Sequence, residues 1–221
     1  MSAKFGPAGS AESFKVMGYK SSLQIPEYLN KFSLDCFEYQ CGRGVNIGEE
    51  KAKELGNVAK EKGITLSLHA PYYISMSSVE EEKRLNSVNY ILASAGAVNA
   101  MGGDRIVVHT GSCGKISREK ALSLAIDTMK LALDALKNEG LSHIHICPET
   151  MGKVNQLGTL TEVMELCKPY FEKVEEVQQY NQLKVLKAFK ENRISAQHLV
   201  GTTGYGYDDM GRDGLDRLWA D

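Results

Sequence analysis

The sequence is poor in three things, and each absence excludes a class of protein. Charge of one sign is missing: 26 Lys and Arg stand against 28 Asp and Glu, for a formal net charge of −2. There is no bulk basic field to attract nucleic acid or an anionic membrane, so any nucleic-acid contact has to come from a local groove. Paired cysteines are missing as well: Cys36, Cys41, Cys113, Cys147 and Cys167 make an odd number with no Cys-x-x-Cys. That argues against a disulfide framework or a zinc knot and for reduced thiols in a cytoplasmic setting. Long apolar runs are missing too: the chain has no stretch of about 18 apolar residues and no apolar core in its opening MSAKFGPAGS. Export and membrane insertion are therefore not expected.

What is there is a soluble globular composition. Of 221 residues, 43% are hydrophobic and 24% charged, enough for one good core or two small ones. The 21 glycines imply many tight turns.

Short apolar runs alternate with longer segments of helical period. CFEYQC (36–41), ITLSLHA (64–70), RIVVHT (105–110) and HIHICPET (143–150) read as strands. Between them, 48–63, 77–103 and 117–140 read as helices, the second opening on serines and the third on Ser117 as N-cap. A short helix at 159–168 follows, and then a separate long one at 169–195. Strand and helix in alternation predict βαβ units and a parallel sheet. The expected fold is α/β, a partial TIM (βα) barrel of about five βα units, followed by a helical tail. The alternation stops near Lys168, whereas a closed barrel takes eight units.

Three predicted strands end in a metal-type ligand: His69, His109 and Glu149, at equal intervals of 40 residues. A lone histidine at a strand end is usually just a satisfied polar group. Three such residues at one repeat spacing are different, because each βα unit carries its ligand to the same mouth of a parallel barrel, where barrel active sites are built. Two imidazoles and a carboxylate suit zinc, manganese or iron(II). His143 and His145 alternate on one strand, so at least one of them should face the helix layer. Glu38 ends a strand with its facing unsettled. YQCGRGVNIG (39–48) has glycines without the G-x-G-x-x-G spacing and reads as a strand-to-helix loop, in which Arg43 could touch a phosphate. Tyr72 and Tyr73, beside His69, could stack on a base or pack on a neighbouring loop.

KFGPAGSAESF, LHAPYYISMSS, VVHTGSCGK and CPETMGKVNQLGTL together resemble the endonuclease IV family of abasic-site endonucleases, TIM barrels related to xylose isomerase, over about residues 3–168. The resemblance implies zinc-dependent hydrolysis of the phosphodiester at abasic sites in DNA, a base-excision repair activity. It implies His69 and His109 as zinc ligands and Glu149 as bridging and catalytic carboxylate. On the same pattern Tyr72 and its neighbour Tyr73 contact DNA, and Arg43 lies in the loop that probes the duplex. That family places further ligands on later strands, in an Asp-x-x-His motif among others, and this chain has no Asp-x-x-His. Activity is accordingly expected to be impaired.

The tail, from about 174 to 221, is similar to the N-terminal segment of a pyridoxal-phosphate family described as aluminium resistance or methionine γ-lyase-like. That places Tyr205 and Tyr207 near a cofactor phosphate. The lysine that binds pyridoxal phosphate in that family lies outside the matching segment, so no PLP is expected on this chain. The division expected is 1–168 for the barrel and 169–221 for the tail. Two alternatives stand beside the nuclease reading. One is a sugar isomerase or epimerase on a related barrel with one divalent metal. The other is a non-catalytic truncated or chimeric product that self-associates through exposed strand edges.

Overall fold

The computed structural model describes residues 3–194 together with His198 and Gly214. The alternating runs form a parallel sheet of four strands, β1 (Cys36–Gln40), β2 (Thr65–His69), β3 (Arg105–Val108) and β4 (His145–Pro148), side by side in chain order. Successive strands are joined by helices α3 (Glu49–Glu61), α4 (Glu81–Ala100) and α5 (Arg118–Asn138). Helices α1 (Glu12–Val16) and α2 (Ile25–Lys31) precede β1, and α6 (Leu160–Glu191) follows β4. The chain divides into two compact units, Met1–Cys167 and Lys168–Asp221.

Strand side chains alternate between faces, and here the two faces differ sharply. One carries Phe37, Leu66, Leu68, Ile106, Val108 and Ile146, none more than 5% exposed. These belong to one core with the buried stripes of the crossover helices, including Leu55 of α3, Ile91 and Val98 of α4, and Met129 and Leu136 of α5. The other face carries Glu38, Gln40, Ser67, Val107 and Cys147, all half-buried. In a barrel such a second face turns inward, and active sites are built where it reaches the C-terminal mouth.

A fifth extended segment lies along β1. Phe5 O accepts from Asp35 N at 2.8 Å, Glu38 N donates to Pro7 O at 3.1 Å, and Gly9 N donates to Glu38 O at 3.0 Å. The result is a parallel bridge between Ala8 and Glu38. The outer edge of β1 is thus not bare, contrary to the expectation of an open first edge. Helices α1 and α2 and their connection bring Phe14, Tyr19 and Tyr28 into one buried aromatic cluster, which the strand–helix alternation does not predict.

Two helix boundaries differ from expectation. Helix α4 starts at Glu81 with Glu80 as N-cap, not at the serines. Ser77 Oγ donates instead to Ser112 O at 2.8 Å, and Ser78 Oγ accepts from Glu80 N at 3.1 Å. Helix α6 runs through Pro169 as one helix of 32 residues where two were expected. A proline withholds one N–H from the ladder, and the strong helix formers on both sides carry the helix past it.

The loop after β4 is fastened to α5 by an ion pair. Arg118 Nε and Nη2 donate to the two oxygens of Glu162 at 2.7 and 2.8 Å. Glu162 is 8% exposed and also accepts from the backbone N–H groups of Gly158 and Thr159, at 2.9 and 2.8 Å. The Arg118 guanidinium, and then those amides, hold its carboxyl down to about 2 from an ordinary 4.5.

Two predictions follow from this architecture. Ile106→Ala, at a fully buried position in the middle of the sheet, should cost about 2–5 kcal/mol in denaturant unfolding. The Glu162 carboxyl is depressed on folding, so its stabilisation is complete above about pH 4.5 and is lost as pH falls towards about 2. Glu162→Gln should flatten that limb of the stability–pH profile and cost roughly 1–3 kcal/mol at neutral pH.

Candidate metal centre

The sheet register decides where the three candidate ligands meet. His69 pairs with Val107, and Val107 with Cys147. His109 stands two residues beyond Val107, and Glu149 two beyond Cys147. The period of two therefore keeps His69, His109 and Glu149 on the polar face, at the C-terminal ends of adjacent strands. Each offers one ligand atom, and these atoms lie within 4.8 Å of one another.

A single carboxylate oxygen sits between the two imidazoles. Glu149 Oε2 is 3.2 Å from His69 Nε2 and 2.9 Å from His109 Nε2. The rings stand edge to face, with centroids 5.0 Å apart. On the far side of His69, Nδ1 lies 2.8 Å from the carbonyl oxygen of Ala70. A carbonyl can only accept, so Nδ1 carries the proton and Nε2 of the neutral ring presents a lone pair. That lone pair faces a carboxylate oxygen, which is also an acceptor. Two acceptors at this distance call for a cation or a proton between them, and the donor set of two imidazole nitrogens and a carboxylate is one that zinc, manganese or iron accepts. The residues present therefore fit such an ion. The Ala70 carbonyl does for His69 what partners of metal-bound histidines commonly do: it fixes tautomer and ring orientation.

Burial adds to this. His69 is 7% exposed. Burial lowers the His109 pKa below its ordinary value, outweighing the Glu149 carboxylate, which raises it, while His69 adds a smaller lowering effect. His109 is thus neutral at neutral pH, the form that binds metal.

Two aromatics stand at this mouth. Tyr72 lies over both imidazoles, with ring centroids 5.6 Å from His69 and 5.2 Å from His109, and is 57% exposed. Its N–H donates to Gly42 O at 3.1 Å, which brings the tyrosine loop beside the turn that carries the exposed Arg43. Tyr73 rests against Tyr90 of α4, centroids 6.0 Å apart, and is as exposed as Tyr72. The other candidates lie away from the three-residue group. Glu38 Oε1 accepts from Gln40 Nε2 at 2.9 Å. His145 begins β4, exposed, at the opposite end of the strand from Glu149. His143 turns towards α4, where its Nε2 is 2.8 Å from Asn99 Oδ1. Tyr205 and Tyr207 lie outside the described residues.

Two glycines shape the ligand loops. Gly111, two residues past His109, has φ +115°, and a Cβ there would stand 2.3 Å from Ser77 Oγ. Gly158 has φ +145°, and a Cβ there would stand 2.9 Å from the backbone nitrogen of Met151, two residues past Glu149. Neither glycine was singled out in the sequence, and neither was the Arg118–Glu162 pair. The one available signal was the Thr-x-x-Glu spacing at 159–162, a capping-box pattern.

Comparison with known proteins agrees with the fold. An uncharacterized protein of Methanocaldococcus jannaschii, MJ0133, is 33% identical over 163 residues, 74% of this chain and 56% of that protein. A probable endonuclease 4 of Acholeplasma laidlawii is 32% identical over 116 residues, 51% of this chain and 38% of that one. The chain thus spans about half the length of the curated relatives it matches. Among solved structures, the 3-keto-D-glucoside 4-epimerase YcjR of E. coli superposes with a TM-score of 0.60 at 18% identity, covering 76% of this chain and 64% of that one. Residues 156–221 match the methionine gamma-lyase family. No described helix is long and apolar enough to cross a membrane. Residues 26–170, about two thirds of the chain, match the family described as the xylose isomerase-like TIM barrel, and to that family the chain belongs.

Proposed function

We propose that this chain carries a metal-dependent phosphodiesterase centre of the endonuclease IV type, directed at abasic sites in DNA, with His69, His109 and Glu149 as zinc ligands. The observation that carries this reading is the placement of Glu149 Oε2 against both imidazole Nε2 atoms while His69 Nδ1 is committed to Ala70 O. The similarity to a protein named as a probable endonuclease 4 supports the direction towards DNA. When bound, zinc would supply Lewis-acid polarisation of a phosphoryl oxygen. The chain's own residues do the rest. His69 and His109 hold their Nε2 atoms towards one point. Glu149 balances charge there and is the carboxylate placed to take up a proton. Tyr72 and Tyr73 offer stacking faces at the mouth. Arg43, exposed in the adjoining turn, offers a cation to a backbone phosphate.

A second reading keeps the same centre with one divalent metal and a sugar substrate, as in an isomerase or epimerase. It is favoured by the size of the group: three protein ligands suffice for a single catalytic ion.

Two outcomes test these readings. The purified chain should retain about one equivalent of zinc, manganese or iron by elemental analysis, and His109→Ala should lose most of it. A folded wild-type chain without metal above background overturns the centre. On duplex DNA with one abasic site, the zinc-loaded chain should nick the abasic strand, but on the order of 10³-fold more slowly than an endonuclease 4 that carries the Asp-x-x-His ligands, since such groups act as one catalytic unit. No nicking, together with metal-dependent ketose interconversion, decides for the sugar reading.

A further inference from the structure

Glu149 is a long side chain at the start of the loop that joins β4 to α6, yet its Oε2 sits within hydrogen-bond distance of two histidines at the ends of two other strands. Something has to hold that loop. Its near end is tied by Glu149 N to Val108 O at 2.9 Å and by Met151 N to Gly158 O at 2.9 Å. From Gly158 the chain of bonds passes to Glu162, whose Oε2 accepts from Gly158 N and Thr159 N. Glu162 is in turn gripped by Arg118, the first residue of α5. The rest of the Arg118 guanidinium is spent on the loop itself: Nη1 donates to Val154 O at 2.7 Å and Nη2 to Gln156 O at 3.1 Å.

Arg118 also stands at the end of the other ligand loop, the one that starts at His109. That loop is stitched to the first by Thr110 Oγ1 to Leu157 O, Leu157 N to Gly111 O and Cys113 N to Asn155 O. One guanidinium therefore joins the segment that carries His109 to the segment that carries Glu149.

Resting on the metal reading above, we propose that Arg118 and Glu162 are positioning residues for the metal centre: their paired bonds fix the 150–159 loop and so set the spacing of Glu149 from His69 and His109. The work is suited to arginine. Its planar fork meets both carboxylate oxygens while two further N–H groups cap loop carbonyls, which an ammonium cannot do. Glu162 is buried while Arg118 is half-buried, so loss of the arginine leaves a carboxylate with little water to replace it. Gly158 belongs to the same device, because only glycine allows the close approach to Met151 that closes the loop.

The test is metal affinity of the full chain, stripped with chelator and titrated with Zn²⁺ and with Co²⁺, whose visible bands report coordination geometry. Arg118→Ala should raise the zinc Kd about 10–100-fold and shift the cobalt bands. Arg118→Lys should behave like Arg118→Ala. Leu136→Ala lies on the same helix about 27 Å away along its axis and is 1% exposed. It should lower the Tm at least as much and leave the Kd within about twofold. Thr110→Val, which removes one stitch at nearly constant shape, is the second variant should Arg118→Ala not fold, and should weaken zinc binding about 3–10-fold. A wild-type chain that binds metal and an Arg118→Ala chain that binds it equally well, or a Leu136→Ala loss of the same size, overturns the positioning role alone. A wild-type chain that binds no metal overturns the centre and this role with it.

Discussion

Everything in the described site depends on strand register. A parallel pair has one register that buries its apolar face, and a slip of one residue would turn every side chain over. With His69 opposite Val107 and Val107 opposite Cys147, the three potential ligands share a face and converge at one mouth. The apolar face, with Leu68, Ile106 and Val108 fully buried, enforces that register. The core is thus what aims the chemistry: the residues that exclude water on one side of the sheet fix the height of the polar ones on the other.

Convergence brings an electrostatic conflict, and the structure handles it with local means. His69 is committed at Nδ1 to a backbone carbonyl, so its Nε2 can meet Glu149 only across a shared proton or a cation. Burial keeps His109 from relieving the conflict by charging at neutral pH. A half-buried carboxylate beside two imidazole nitrogens is a donor set that a cation can join. The Tyr72 ring packs against both imidazoles.

Much of this was legible in the sequence because the signals were periodic. The strands and crossover helices followed from alternation, and the convergence of His69, His109 and Glu149 from their repeat of 40 residues. What escaped was aperiodic or long-range. Residues 5–9 hold β1 through hydrogen bonds made by a stretch too rich in Gly and Pro to read as a strand. Ser77 looked like a helix cap but bonds to the loop after β3, since a hydroxyl takes the nearest unsatisfied carbonyl whatever its sequence distance. Pro169 looked like a boundary and lies within a helix, because propensity on both sides outweighed one missing donor. Arg118 and Glu162 are 44 positions apart and looked like ordinary surface charges. Nothing in either neighbourhood announces a partner on another helix.

The order of the strands has a consequence for how the molecule is made. Since β1 to β4 lie in the sheet in the order they occur in the chain, each new strand needs only its predecessor as a template. The paired strands are far apart in sequence, Cys36 with Thr65 and Arg105 with His145, so each pairing waits on its crossover helix, and the chain can bury each βα unit as it leaves the ribosome. The three candidate residues are therefore assembled in sequence, His69 first and His109 second. Glu149, the only one of the three with a formal negative charge, arrives last on a surface already set. Until β4 docks, the two histidines lack their third neighbour, so the polar cluster is complete only once the core beneath it has closed.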